Sequence, residues 1–387
     1  MKGMTPAQTI VFDVCKIKKG ERVLIVANPE MNLIAQDIFE AAIHANAEPV
    51  LIYQRAKTSF DNAAPEVIAA IASNPDACIS VSSIKLGKDE QAAAHPYVAE
   101  DGAQFDHVFD YLLAGKKSMR AVWMPGITQD MYERTVQIDY AQLAARCARI
   151  EKLYEGVASV HVTSPAGTDV VVPVKGRKAM SDNGDFSKPG LGGNMPAGEV
   201  FISPVVGSGP PVPSGAQTGK SLENGNDAEL QNGTSGVIVF DGSMTFGDGD
   251  ALLKTPITVK IENGFVTDVS GGEEAARLKK TITDAEVKAL ALEKEGKLPK
   301  GMGAAYKKNA RNIGELGIGL NPAAAITGNM LEDEKAFRTC HFAIGENYDN
   351  DAPALIHLDG VVKNPTIVFT YEDGSECVVL DDGVLQE

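Results

Sequence analysis

Along the first third of the chain, hydrophobic positions fall into two alternating rhythms. Residues 21–28, ERVLIVAN, form a short continuous apolar run, the pattern of a strand buried on both faces. Residues 31–47, MNLIAQDIFEAAIHANA, follow with Leu33, Ile34, Ile38, Ala41, Ala42 and Ile43 close to helical spacing. The alternation repeats through EPVLIYQ (48–54), APEVIAAIASN (64–74), DACISVSS (76–83) and SMRAVWMPG (118–126). Strands separated by helices predict a parallel sheet covered on both faces, an open Rossmann-like α/β domain. The turn after the first strand, NPEMN, lacks the G-x-G-x-x-G spacing of a dinucleotide site, so no nucleotide cofactor is expected there.

A helical stretch over 139–154 closes this half, and the rhythm then changes. Strand-like runs occupy 159–178, 235–242, 257–272 and 365–385, with ENG and EDG standing where hairpins turn. One long helical pattern, 273–296, interrupts them. The expected fold class is therefore α/β: an N-terminal open Rossmann-like α/β domain followed by a C-terminal strand-rich α+β domain. At 387 residues the chain exceeds a single compact core. Domains over 1–136 and 137–387 are expected. Residues 205–236 carry Gly, Pro, Ser and Asn with little to bury, and read as an inserted loop or lid.

Charge narrows the partners. Lys and Arg number 36 against 52 Asp and Glu, a formal net charge of −16. Such a field repels phosphate backbones and anionic lipid, so neither nucleic acid nor membrane is expected as a partner. No run approaches the ~18 apolar residues that span a bilayer. The 5 cysteines are scattered without a CxxC pair, as expected of reduced thiols in a cytoplasmic protein.

Only 6 histidines occur, and two of them fall in one stretch, RTCHFAIGENYDNDAPALIHLDG, from Arg338 to Gly360. His357 and Asp359 sit two apart in ALIHLDGVV, a strand pattern, so both point to one face. An imidazole beside a carboxylate suits a divalent metal, and equally describes a solvent-facing stripe on an edge strand. His341 lies between apolar neighbours and reads as a core histidine or a ligand. Glu199 in NMPAGEVFISP and Glu315 in NIGELGIGLNP are carboxylates inside apolar runs. Carboxylates are seldom buried unless paired or coordinated; the alternative for each is a half-exposed strand. Together these five side chains form a donor set able to hold two divalent ions through a bridging carboxylate.

In their order, NMPAGEVFISP, GELGIG, TCHFAIGENY and HLDG resemble the successive signatures of the M29 family of metallo-aminopeptidases, and the likeness covers most of the chain. The resemblance implies that Glu199, Glu315, His341, His357 and Asp359 bind two divalent ions (Zn, Co, Mn or Mg), making the C-terminal domain the metal-binding one. It implies that Tyr348 is catalytic, that small peptides are the substrates, hydrolysed from their N-termini through a two-metal-bridged hydroxide, and that the chain forms a homodimer. Glu334, two positions from the family's acidic residue before the first histidine, is the matching candidate for proton transfer; it stands in a charged run, LEDEK, that otherwise reads as solvated. The interval from His341 to His357 is shorter than in the better-known aminopeptidases. Fe(II)-dependent, extradiol-type ring-cleaving dioxygenases share the scaffold and keep H-x-D. They carry histidine where this chain has Glu315, and lack counterparts of Glu199 and His341. A non-catalytic small-molecule binding module is the third reading.

Overall fold

The computed structural model describes residues 3–58, 61–208 and 233–386. Residues 209–232, most of the expected loop or lid over 205–236, lie outside the described residues. The fold is mixed α/β with several sheets, and the chain divides into two units. One comprises Met1–Cys147, Asp182–Gly198 and Asn321–Ala324; the other comprises Ala148–Ser181, Glu199–Leu320 and Ala325–Glu387.

In the first unit, strands β1 (Arg22–Ala27), β2 (Glu48–Tyr53), β3 (Ala77–Val81) and β4 (Arg120–Trp123) pair in parallel in the order β4–β3–β1–β2. A short strand, Gly192–Asn194, extends the sheet in parallel beside β4. Every residue of β3, and all of β1 after Arg22, is buried, which is why these segments read as unbroken apolar runs. Strand β2 lies at the sheet edge and is only half-buried. The helix Asn32–His44 buries Ile34, Ala35, Ile38, Ala41 and Ala42, one stripe at helical spacing. Where a phosphate-binding loop would follow β1, Asn28 instead ties three strand ends together. Its amide donates to Gln54 O at 2.9 Å and its Oδ1 accepts from Ser83 N at 2.7 Å.

The second unit holds an antiparallel eight-stranded sheet. Its order is Phe265–Ser270, Ile257–Glu262, Ser235–Phe240, Asp169–Pro173, Val157–Thr163, Thr366–Tyr371, Glu376–Asp381, Val384–Leu385. The expected ENG hairpin turns with Asn263 at φ 47° and Gly264 at φ 92°, the positive pair that a two-residue turn demands. The long helix spans Glu273–Lys294. A second sheet contains β5 (Glu199–Ile202), β6 (Ile313–Gly319), β7 (Thr339–Gly345) and β8 (His357–Lys363), paired antiparallel in that order. Both β6 and β7 are buried along their whole length. Among the described residues, no helix is long and apolar enough to cross a membrane.

Candidate metal centre

Register brings the five expected donors to one face of the β5–β8 sheet. Glu199 pairs with Gly319, and Gly317 with both Phe201 and His341. Glu315 pairs with Ala343, which pairs in turn with Asp359; Gly345 pairs with His357. Residues directly opposite one another share a face, and so do i and i+2 along a strand. Glu199, Glu315, His341, His357 and Asp359 therefore all project to the same side, while Cys340 and Phe342 take the other. The glycines of GELGIG explain themselves here. A Cβ on Gly317 would lie 2.1 Å from His341 Cε1 and Nε2, so the ring occupies the space a side chain there would need.

The side chains meet closely. Glu315 Oε1 is 2.9 Å from His341 Nε2, and Glu315 Oε2 is 3.2 Å from His357 Nε2. His341 Nε2 also lies 3.4 Å from Glu199 Oε2, and His357 Nε2 lies 3.3 Å from Asp359 Oδ1. Glu199, Glu315 and His341 are buried, so the reading of half-exposed strand carboxylates does not hold. His357 is the most open of the five, its side chain 23% exposed. Its Nδ1 lies 2.8 Å from Glu346 O and donates to that carbonyl, which turns Nε2 toward Glu315 and Asp359 as the ring nitrogen a divalent ion would take once its proton is shed.

Burial and charge pull the pKa values apart. Burial pushes the Glu199 carboxyl up to about 8, against the opposing charge of Lys335. Glu315 is equally enclosed, but hydrogen bonds from His341 and His357, with their charge, outweigh desolvation and hold it down to about 2. Burial alone would lower His341; its hydrogen bond to Glu315 and the surrounding carboxylates win and raise it to about 9. His357 is raised well above its ordinary value against the same desolvation, chiefly by Asp359.

Two further candidates lie around this core. Tyr348 holds its ring edge-on to that of His357, 5.3 Å away, and tilted to that of Phe201, 5.1 Å away, and is 53% exposed. Partial burial, then the carboxylates Glu315 and Asp359, push its phenol pKa up, so it is a neutral donor. Glu334 contacts Lys335 Nζ through Oε1, and burial raises its carboxyl pKa.

The LEDEK run is not the solvated stretch it resembles. Glu332, Asp333 and Lys335 are buried. Glu332 accepts from Ala325 N at 2.7 Å, and Asp333 from Thr327 N at 2.7 Å and Gly328 N at 2.8 Å. Lys335 Nζ lies 3.0 Å from Glu199 Oε1. Sequence reasoning missed this residue, because no periodicity separates a buried lysine from a surface one. The available signal was charge: carboxylates enclosed beside imidazoles call for a cationic partner.

Three groups of donor atoms, each lying within 4.8 Å of one another, overlap in the cluster: Glu199–Glu315–His341, Glu315–His357–Asp359 and Glu334–His341–Asp359. Glu315, His341 and Asp359 belong to two groups each. Carboxylates gathered with imidazole nitrogens, with no thiolate among them, fit a hard or borderline divalent cation.

No family model matches the chain. Over 253 residues, 62% of this chain and 59% of the relative's own length, it is 26% identical to 2,5-dihydroxypyridine 5,6-dioxygenase of Pseudomonas putida. The solved structure of 2,5-dihydroxypyridine dioxygenase from Pseudomonas putida KT2440 matches at a TM-score of 0.65 and 17% identity, covering 98% of this chain and 96% of that one. Wild-type AmpT from Thermus thermophilus matches at a TM-score of 0.60 and 16% identity, covering 99% and 98%. The chain shares its fold with both.

Proposed function

We propose that the chain is a metal-dependent aminopeptidase of the M29 kind, removing N-terminal residues from small peptides at divalent ions held by Glu199, Glu315, His341, His357 and Asp359. The observation that carries this reading is the placement of Glu315, with Oε1 2.9 Å from His341 Nε2 and Oε2 3.2 Å from His357 Nε2. One carboxylate set between two imidazoles, with a further carboxylate beside each, is a donor arrangement that would let two divalent ions share a ligand. A mononuclear iron site needs two histidines and one carboxylate on one face and has no use for the others. The likeness to AmpT is compatible with this reading but, being one of fold, does not choose it over the dioxygenase.

Held by Glu199, Glu315, His341, His357 and Asp359, divalent ions would supply Lewis acidity toward a water and the scissile carbonyl. The chain's own groups do the rest. Tyr348, kept neutral, donates a hydrogen bond to the carbonyl oxygen as it becomes anionic. Glu334, whose carboxyl pKa burial raises against the charge of Lys335, takes the proton that the attacking water loses and delivers it to the leaving nitrogen as the peptide C–N bond breaks. The water adds OH to carbon and, through this relay, H to nitrogen. Enclosure of Glu199, Glu315 and His341 keeps bulk water from screening these charges.

A second reading, an Fe(II)-dependent ring-cleaving dioxygenase, is favoured by the 26% identity to 2,5-dihydroxypyridine 5,6-dioxygenase. One experiment separates the two. The purified chain is stripped with chelator, reconstituted separately with Zn, Co, Mn, Mg or Fe(II), and assayed for amino-acid release from a dipeptide panel and for oxygen uptake with 2,5-dihydroxypyridine. Release that chelation abolishes and add-back restores is the expected result. Oxygen uptake without release establishes the dioxygenase, and neither activity in a chain whose stability ignores chelator points to a binding module.

A further inference from the structure

The three donor groups are not equivalent, because a lysine stands among them. Lys335 Nζ lies 3.0 Å from Glu199 Oε1 and contacts Glu334 Oε1. Those carboxylates belong one each to the two groups that contain His341; the Glu315–His357–Asp359 group contains neither. The Lys335 side chain is 0% exposed, so its ammonium has no route to solvent without rearrangement. A buried ammonium keeps its place only where anionic oxygens replace its lost hydration. Here the oxygens doing so are ones that a second divalent ion also requires. An ion on the His341 side shares Glu199 or Glu334 with a fixed positive charge, and repulsion across one carboxylate is strong in a water-excluded site. The remaining group includes His357, whose side chain is 23% exposed, so it is also the one an ion reaches from solvent.

We infer that Lys335 is a built-in monovalent cation that grades the cage: the first divalent ion binds tightly at Glu315–His357–Asp359, and the second, on the His341 side, binds far more weakly. This rests only on the metal-binding part of the proposed function, so absence of peptidase activity leaves it standing and metal titration alone decides it. The test is titration of the chelator-stripped full-length chain with Mn2+, free ion followed by electron paramagnetic resonance and folding checked by circular dichroism. In the wild type the first equivalent is expected to bind at least about a hundredfold more tightly than the second. Lys335→Gln, which removes the charge and keeps a polar group, is expected to tighten the second site at least about tenfold and to move the first less than about threefold. A merely structural lysine predicts the reverse, weakening of both. Should Lys335→Gln fail to fold, two other variants decide: Glu199→Gln keeps the tight ion and His357→Ala loses it. Two equal sites in the wild type, or a tight ion that survives His357→Ala and is lost in Glu199→Gln, overturns the inference.

Discussion

Gly317 and His341 act as one feature. Opposite each other across β6 and β7, they leave space for an imidazole only because one partner has no side chain. Gly317→Ala puts a methyl group 2.1 Å from the His341 ring and drives Nε2 away from Glu315. Metal affinity is expected to fall about 10- to 100-fold, and stability by about 1–3 kcal/mol from overpacking; equilibrium dialysis and urea unfolding measure both. The titration of the cluster gives a second expectation at this scale. Glu199 is raised from 4.5 to about 8 and His341 from 6.5 to about 9. A group with a raised pKa contributes its stability below the unfolded value and loses it as pH rises through the folded one. Glu315, depressed from 4.5 to about 2, contributes its stability above pH 4.5 and loses it only as pH falls toward 2. The metal-stripped chain is thus expected to lose stability between pH 4.5 and 9, Glu199 acting from 4.5 to about 8 and His341 from 6.5 to about 9, with Tm falling by roughly 5 °C or more. Added metal reverses the trend, since ligands must shed protons to bind it. A flat or rising Tm in the stripped chain contradicts this. At residue scale the sequence was legible in part. The i, i+2 spacing of His357 and Asp359 put them on one face, and Glu199 and Glu315 stood out as charges inside apolar runs. Convergence of the five was legible only through family resemblance, because it depends on cross-strand register between segments far apart in the chain.

Between β7 and β8 runs the loop that carries Tyr348, and it is pinned from outside. Arg177 reaches Asp351 at 2.7 Å and Asp349 at 3.4 Å, and Asn347 Oδ1 accepts from Ala352 N at 3.1 Å. If Tyr348 donates to the reacting oxygen, Tyr348→Phe lowers kcat roughly 100- to 1,000-fold with bound metal unchanged. Arg177→Ala frees the loop without touching the donors. A loss of about tenfold in kcat, larger than the change in KM and with unaltered metal content, is expected; equal loss of metal and activity in both variants denies the loop this role. The elements themselves were mostly legible. Strand and helix runs such as 21–28, 31–47 and 273–296 appear as Arg22–Ala27, Asn32–His44 and Glu273–Lys294. LEDEK was misread because four charged residues in five imply water, unless the surrounding backbone amides and a buried lysine satisfy them. Those partners come from 325–328 and 199, outside the range of any local pattern.

At the scale of the whole molecule, fold and chemistry separate. The described chain shares its architecture with 2,5-dihydroxypyridine dioxygenase and with AmpT at similar TM-scores, 0.65 and 0.60. Architecture therefore chooses neither, and function has to be argued from the donor set. Here that set is rich in carboxylates, with Glu315 spanning two imidazoles. The most direct measurement is an anomalous difference map from crystals of the full chain grown with excess Mn2+ or Co2+ and collected at the metal edge. Expected are peaks inside the β5–β8 cluster, with Glu315 as a ligand to each ion and His357 and Asp359 completing the stronger one. A cluster without anomalous density, or a lone ion that Glu315 does not touch, contradicts the proposed centre.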